Sequence, residues 1–280
     1  MTPSGPVAPL QGSAYGLSVR SHLPLRRLLA PAQPALPELT IDHYPTLPEG
    51  EDHLDDDHAL LTLPDKRRLG VKRSTGQATL YGPTPDTEEL AHPLLGSAAT
   101  VISRWLGREV FHAGSFAHDD KAICILGDNH AGKSTLLSAL TARGNPILAD
   151  DLAFTDGHQV YAGPRNLDLR NPRGASAPLR AVRDNRLRMT LPPCPPQLPL
   201  GGWVLLDWDG LSIEPVAAGD LLPALINRRA LRRVPSDPQA FLALASQPAW
   251  RLRRPPDWTL LDTTIDMLHA AIAAQRKGAV

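Results

Sequence analysis

At 280 residues the chain has room for one large domain or for two of unequal size. Its 42% hydrophobic and 21% charged residues suit a globular protein with a substantial core. Lys plus Arg equals Asp plus Glu at 29 each, so net charge gives no case for nucleic acid or a membrane surface as partner. Two cysteines, neither in a ligand spacing, exclude a disulfide framework and a cysteine metal centre. No apolar run approaches the roughly 20 residues of a membrane helix, and the N-terminus reads as no signal peptide. The expectation is a cytoplasmic protein.

Residues 1–14 read as disordered. Between 15 and 86 lie short β-like pieces, "YGLSVRS", "ELTIDHY", "ALLTLP", "LGVKRS" and "QATLYG", separated by proline and acidic turns. The acidic run "EGEDHLDDDH" lacks the Gly and terminal Glu of a calcium loop and reads as a solvated turn. Residues 87–107 read as helical despite an internal Pro, with Leu94, Leu95, Val101, Ile102 and Leu106 on the apolar face. "EVFHAGSFAH" and "KAICILG" are strand-like and divided by a tight hairpin turn at "DDK". Further on, "QVYAGPRNLDLRNPRG" is loop-like with short extended pieces, and "LPPCPPQLPL" is a Pro-rich connector into the strand of "GGWVLLDWDG". The tail from 220 shows three helical segments, around "DLLPALINRRALRRV", "DPQAFLALASQ" and "TTIDMLHAAIAAQRK". Arg228, Arg229, Arg232 and Arg233 would share one helical face there, as a solvated or intersubunit surface or as a dock for an acidic peptide.

Gly127-Asp128-Asn129-His130-Ala131-Gly132-Lys133-Ser134 matches G-x-x-x-x-G-K-[ST], the phosphate-binding loop. In such a loop backbone N–H groups surround the phosphates, and the next helix adds about half a positive charge at its N-terminus. The run from Gly127 to Thr135 is the candidate cofactor-binding segment, with Lys133 for the β- and γ-phosphates and Ser134 for Mg²⁺. The context agrees: "AICIL" is the strand before it, and "KSTLLSALTAR" is a helix closed by Gly144. A helix of about 11 residues descends roughly 16 Å, and "NPILA" climbs back by a similar distance as a strand. A right-handed crossover would make this strand parallel to the first, ending on the same sheet edge as the loop. Asp150 and Asp151 would then emerge beside the phosphates, one to hold Mg²⁺ and one to take a proton.

The stretch "GKSTLLSALTARGNPILADD" resembles the core of HPr kinase/phosphorylase and its HPr-kinase-like relatives, which combine such a loop with a helix, an Arg-Gly turn and a strand ending in Asp-Asp. "FHAG" one hairpin upstream matches the relatives' His at His112. The likeness spans roughly residues 90–215, and "LPLGGWVLLDW" with the N-terminal β segment resembles the smaller members, some of which serve peptide-modification gene clusters. The resemblance implies an α/β fold: a P-loop core like the C-terminal domain of HPr kinase over residues 87–280, beside a smaller β-rich region at 15–86. It implies ATP- and Mg²⁺-dependent phosphorylation of a Ser hydroxyl on a protein or peptide, with homo-oligomers among the relatives. In that reading Asp150, Asp151, His112 and Lys133 are catalytic, and Ser134 and Asp151 hold the metal. Arg165, Arg170 and Arg173 are candidates for neutralising the transferred phosphate. Asp168 and Arg170 stand where bifunctional relatives carry Glu-x-Arg-Gly. Two alternatives stand beside a kinase: a nucleotide-binding regulatory protein, favoured by the bulky "DNHA" with its added Asp128, and a partner-coupled ATPase.

Overall fold

The computed structural model describes residues 8–33, 35–182 and 185–277 of a mixed α/β protein with several sheets. The chain divides into two compact units, Met1–Leu106 and Gly107–Val280.

In the first unit alternating apolar residues make strands: β1 (Leu10–Ala14), β2 (Leu17–Ser21), β3 (Glu38–Tyr44), β4 (His53–Leu54), β5 (His58–Thr62), β6 (Arg68–Lys72) and β7 (Gln77–Tyr81). They form one sheet in the order β1-β2-β3-β7-β6-β5-β4. The alternation is visible in β6 and β7, where Leu69, Val71, Ala78 and Leu80 are buried and their neighbours are not. Disorder expected over 1–14 is corrected for Leu10–Ala14, which pair with β2; residues 1–7 lie outside the described residues.

The expected helix from 87 is interrupted. After α1 (Thr87–Glu89), opened by a capping box between Asp86 and Glu89, the backbone leaves helical geometry at His92 and resumes as α2 (Leu95–Trp105). Pro93 supplies no N–H and disfavours helical torsions in the residue before it. Leu94, Leu95, Val101 and Ile102 are buried as expected, whereas Leu106 is exposed. These helices fall in the first compact unit, so the division lies at 106/107 and not at the expected 86/87.

The second unit opens with a hairpin of β8 (Glu109–His118) and β9 (Lys121–Gly127). Its two-residue turn has φ of 46° at Asp119 and 60° at Asp120, the left-handed pair that suits the twist of a hairpin. Then follow α3 (Lys133–Ala142), β10 (Ile147–Ala149), β11 (Leu152–Thr155) and β12 (Gln159–Tyr161). A small sheet of β13 (Asn166–Leu169), β14 (Leu179–Ala181) and β15 (Leu187–Thr190) comes next. The long β16 (Gln197–Trp208), which begins inside the Pro-rich connector, leads to β17 (Ser212–Pro215), α4 (Ala218–Arg228), α5 (Pro238–Ala245), β18 (Ala249–Arg254) and α6 (Leu261–Lys277).

The main sheet is covered on both faces. On one, Leu136, Leu137 and Leu140 of α3 and Ile265 and Leu268 of α6 pack on Phe116, Ile123, Ile125 and Leu252. On the other, Leu221, Leu225, Phe241 and Leu244 of α4 and α5 pack around Phe111 and Trp203, whose rings meet edge-on at 5.2 Å. Fully burying one such leucine stabilises the fold by about 2 kcal/mol. Among the described residues no helix is long and apolar enough to cross a membrane.

The arginine-rich helical face is corrected. Helix α4 ends at Arg228, Arg229 is extended, and Leu231 has a φ of 53°. The Ala230 N–H donates to the Val110 carbonyl (2.8 Å), which draws the chain onto β8 and out of the helix. Arg229 pairs with Glu109 at 3.5 Å, and Arg232 donates to the Asn227 carbonyl. The four arginines share no helical face.

Candidate functional site

Strands β9, β16 and β18 are mutually parallel, with Leu206 opposite Gly127 and Trp208 opposite Arg254. Their carboxyl ends therefore open on one edge, where ligands bind in open α/β sheets. Residues 128–132 leave β9 at that edge and lead into α3. His130 (φ 70°) and Gly132 (φ 81°) are both left-handed, and the Ala131 N–H donates to the Asp128 carbonyl (3.1 Å). Gly132 is required there twice over: its φ suits glycine, and a Cβ would collide with the Arg254 guanidinium and the Trp208 ring.

The expected crossover holds in direction but not in neighbourhood. Strand β10 runs the same way as β9, with antiparallel β8 lying between them. Nor does the strand end at the aspartates. It resumes as β11 in the same register on β8, with Ala149 opposite Ser115 and Leu152 opposite His112. The Ala113 N–H donates to the Asp151 carbonyl (3.1 Å), and Ala113 lies opposite Leu126. The two aspartates thus interrupt the strand at the height where β9 turns into the loop. Gly114 makes room: a Cβ on it would sit 3.0 Å from the Asp150 carbonyl oxygen and press on Leu137 of α3.

Asp150 and Ser134 meet. The Ser134 hydroxyl donates to Asp150 Oδ1 at 2.8 Å, and the Asp168 N–H donates to Oδ2 at 2.9 Å. Burial pushes the Asp150 carboxyl up to about 7, against the lowering effect of those hydrogen bonds. Asp151 is exposed. Lys133 donates to the carbonyls of Gly127 (2.9 Å) and Asp128 (3.0 Å). Burial lowers its pKa while Asp151 and Asp150 oppose that shift. Asp128, Asn129 and His130 are exposed, and Asp128 is paired with Arg228. Thr135, next on the helix, lines a cleft on the far side of the loop from the aspartates.

His112 is exposed and stands on the strand face that Gly114 and Phe116 turn toward α3, directly opposite Leu152. Three arginines were expected to serve phosphate. Arg165 is instead buried and donates to the carbonyls of Ile147 (2.7 Å) and Leu148 (2.8 Å), bracing β10. Arg173 lies over the Trp258 ring at 5.7 Å, and Arg170 is exposed. Asp168 does not work with Arg170: it takes a bidentate pair from buried Arg188, at 2.6 and 2.7 Å.

Ser134, Asp150 and Asp151 offer only oxygen donors, the kind Mg²⁺ prefers. No group of three or more His, Cys, Asp or Glu poised for a metal occurs among the described residues.

Sequence reasoning missed Arg254 and Trp208. Arg254 is buried, donates to the carbonyls of Ala131 (3.3 Å) and Gly132 (3.2 Å), and lies over the Trp208 ring at 4.5 Å. Burial lowers its pKa to about 10. The available signal was "AWRLRR", an alternating stretch in a tail read as helical.

No family model matches the sequence, and no curated protein matches it. Among solved structures the chain is similar to the Hpr(Ser) kinase/phosphatase from Coxiella burnetii, at 11% identity over 60% of this chain and 98% of that one, with a TM-score of 0.32.

Proposed function

We propose that this protein is a Mg-nucleotide-dependent phosphotransferase, an ATP-dependent serine kinase of the HPr-kinase-like type acting on a protein or peptide hydroxyl. The observation that carries the reading is the Ser134–Asp150 hydrogen bond, made at the N-terminus of α3 directly after a loop of phosphate-binding pattern. It favours giving the metal to Ser134 and Asp150, so the ligand role expected of Asp151 passes to Asp150. Bound there, Mg²⁺ would neutralise charge on the phosphate oxygens.

Lys133 leaves the loop carbonyls for the phosphates, and its partial burial strengthens that attraction. Asp151 faces solvent, where an acceptor side chain can arrive, and takes the hydroxyl proton. The acceptor oxygen then bonds to the γ-phosphorus as the bond to the bridging oxygen breaks. The nucleoside diphosphate leaves with that electron pair. His112, expected to tune the aspartates, lies opposite Leu152, the residue after Asp151.

A second reading, a nucleotide-responsive regulator without transfer, draws on Asp128, whose carboxylate stands within the loop and is held by Arg228. The test is γ-labelled ATP with Mg²⁺ in host extract, with wild type beside Lys133→Ala. Label on a serine of one band, lost in the variant, is the expected result. Lys133-dependent ATP binding with no labelled band in any extract fraction would overturn the kinase reading in favour of the regulator.

A further inference from the structure

The loop has two unlike sides. Toward β8 and β10 stand Ser134, Asp150 and Asp151, the groups suited to terminal phosphates and a metal. Toward β16 and β18 stand Trp208 and Arg254, and beyond them the cleft lined by Thr135, Trp208, Arg254, Pro256, Asp257, Trp258 and Leu261. Trp208 is 42% exposed although it sits at the ligand edge of the sheet, two residues past the partner of Gly127. One face of its ring carries the Arg254 guanidinium. Across the cleft, Trp258 begins the short turn before α6. Arg254 is 5% exposed, and its Nε is buried with no hydrogen-bond partner, an unsatisfied donor at the wall of this cleft. An exposed tryptophan, a second one opposite and an unspent buried donor suit a flat aromatic ligand with hydrogen-bond acceptors on its edge.

We propose that this cleft holds the base of a purine nucleotide, stacked on Trp208 and against Trp258 with Arg254 at its edge. The inference rests on the phosphate-loop reading and extends it: the nucleotide lies across the loop with its γ-phosphate toward Asp151 and its base toward β18. Strand spacing of about 4.8 Å carries the ligand from β9 past β16 to β18 over roughly 10 Å, a span a nucleoside can bridge.

Calorimetric titration with Mg²⁺-ATP and with Mg²⁺-tripolyphosphate, which has no base, tests it. Wild type should bind ATP about tenfold or more tighter than tripolyphosphate, from the usual worth of base stacking. Trp208→Ala and Trp258→Ala should remove most of that advantage, with tripolyphosphate still bound, while Trp208→Phe should retain it. Equal affinity for both ligands in wild type, lost in Lys133→Ala, would overturn the base site and leave the phosphate loop standing. Binding of neither ligand would overturn both. A variant that loses both ligands has misfolded or lost the loop, and the Trp208→Phe titration then decides.

Discussion

In the stretch from Asp52 to Asp57 the carboxylates of Asp52, Asp55 and Asp57 are held by nearby donors. Asp55 Oδ1 accepts the N–H groups of Asp57 (2.9 Å) and His58 (2.7 Å), Asp57 accepts the Ser74 N–H (2.7 Å), and Asp52 accepts the Thr62 hydroxyl (2.7 Å). These bonds to backbone N–H groups hold the Asp55 carboxyl below the usual range. At Asp150 the environment is reversed. Burial raises the Asp150 carboxyl to about 7, and the hydroxyl of Ser134 donates to it. The same residue type closes a turn in one unit and stands ready for chemistry in the other. What differs is the solvent and the donors around it.

The largest effect should come from removing the exposed aspartate at the loop. Asp151→Asn is expected to lower phosphoryl transfer by about 10²–10⁴-fold, the usual worth of a general base. Asp55→Asn should leave transfer unchanged in the same labelling assay. Equal losses from both would mean the two acidic stretches do not differ in kind.

Next in size is Arg188→Ala, which strands the buried Asp168 carboxylate beneath Asp150. Breaking a buried pair costs about 3–5 kcal/mol. At about 2–4 °C per kcal/mol for a unit of this size, Tm should fall by roughly 10 °C. A thermal shift of a degree or two would show that Asp168 finds other donors.

A smaller effect, of opposite sign, is expected at Asp150. Its folded pKa lies above the unfolded value of 3.8, so the folded state holds the extra proton between those values. The resulting stability is full below about pH 4 and is lost as pH rises through 7. Asp150→Asn cannot ionise, and its amide can still serve Ser134 and the Asp168 N–H. The variant should therefore melt a few degrees above wild type at pH 8 and lose most of that advantage at pH 5. Denaturation scans at the two pH values would check it, and a variant less stable at pH 8 would refute the burial account.

The smallest effect should follow Asp55→Ala. It removes a solvated turn acceptor, and a slight fall in Tm at neutral pH, shrinking as acid protonates Asp55 in the folded state, is the expected scan.

Much of this molecule is written in short range. The strands of the first unit show in their alternation, the hairpin in "DDK", and α3 in a run bounded by Gly132 and Gly144, because torsional preference and periodicity are properties of neighbouring residues. The loop pattern and the aspartates after "PILA" were legible for the same reason, with 17 residues fixing how far the chain travels. Tertiary structure alone decided that β8 lies between β9 and β10, that Arg188 and not Arg170 pairs with Asp168, and that Arg165 braces a strand. It alone brought Arg254 onto Gly132 across an interval of 122 residues. Parallel strands take their neighbours from distant parts of the chain, and an arginine between two tryptophans carries no local mark of the loop it will meet.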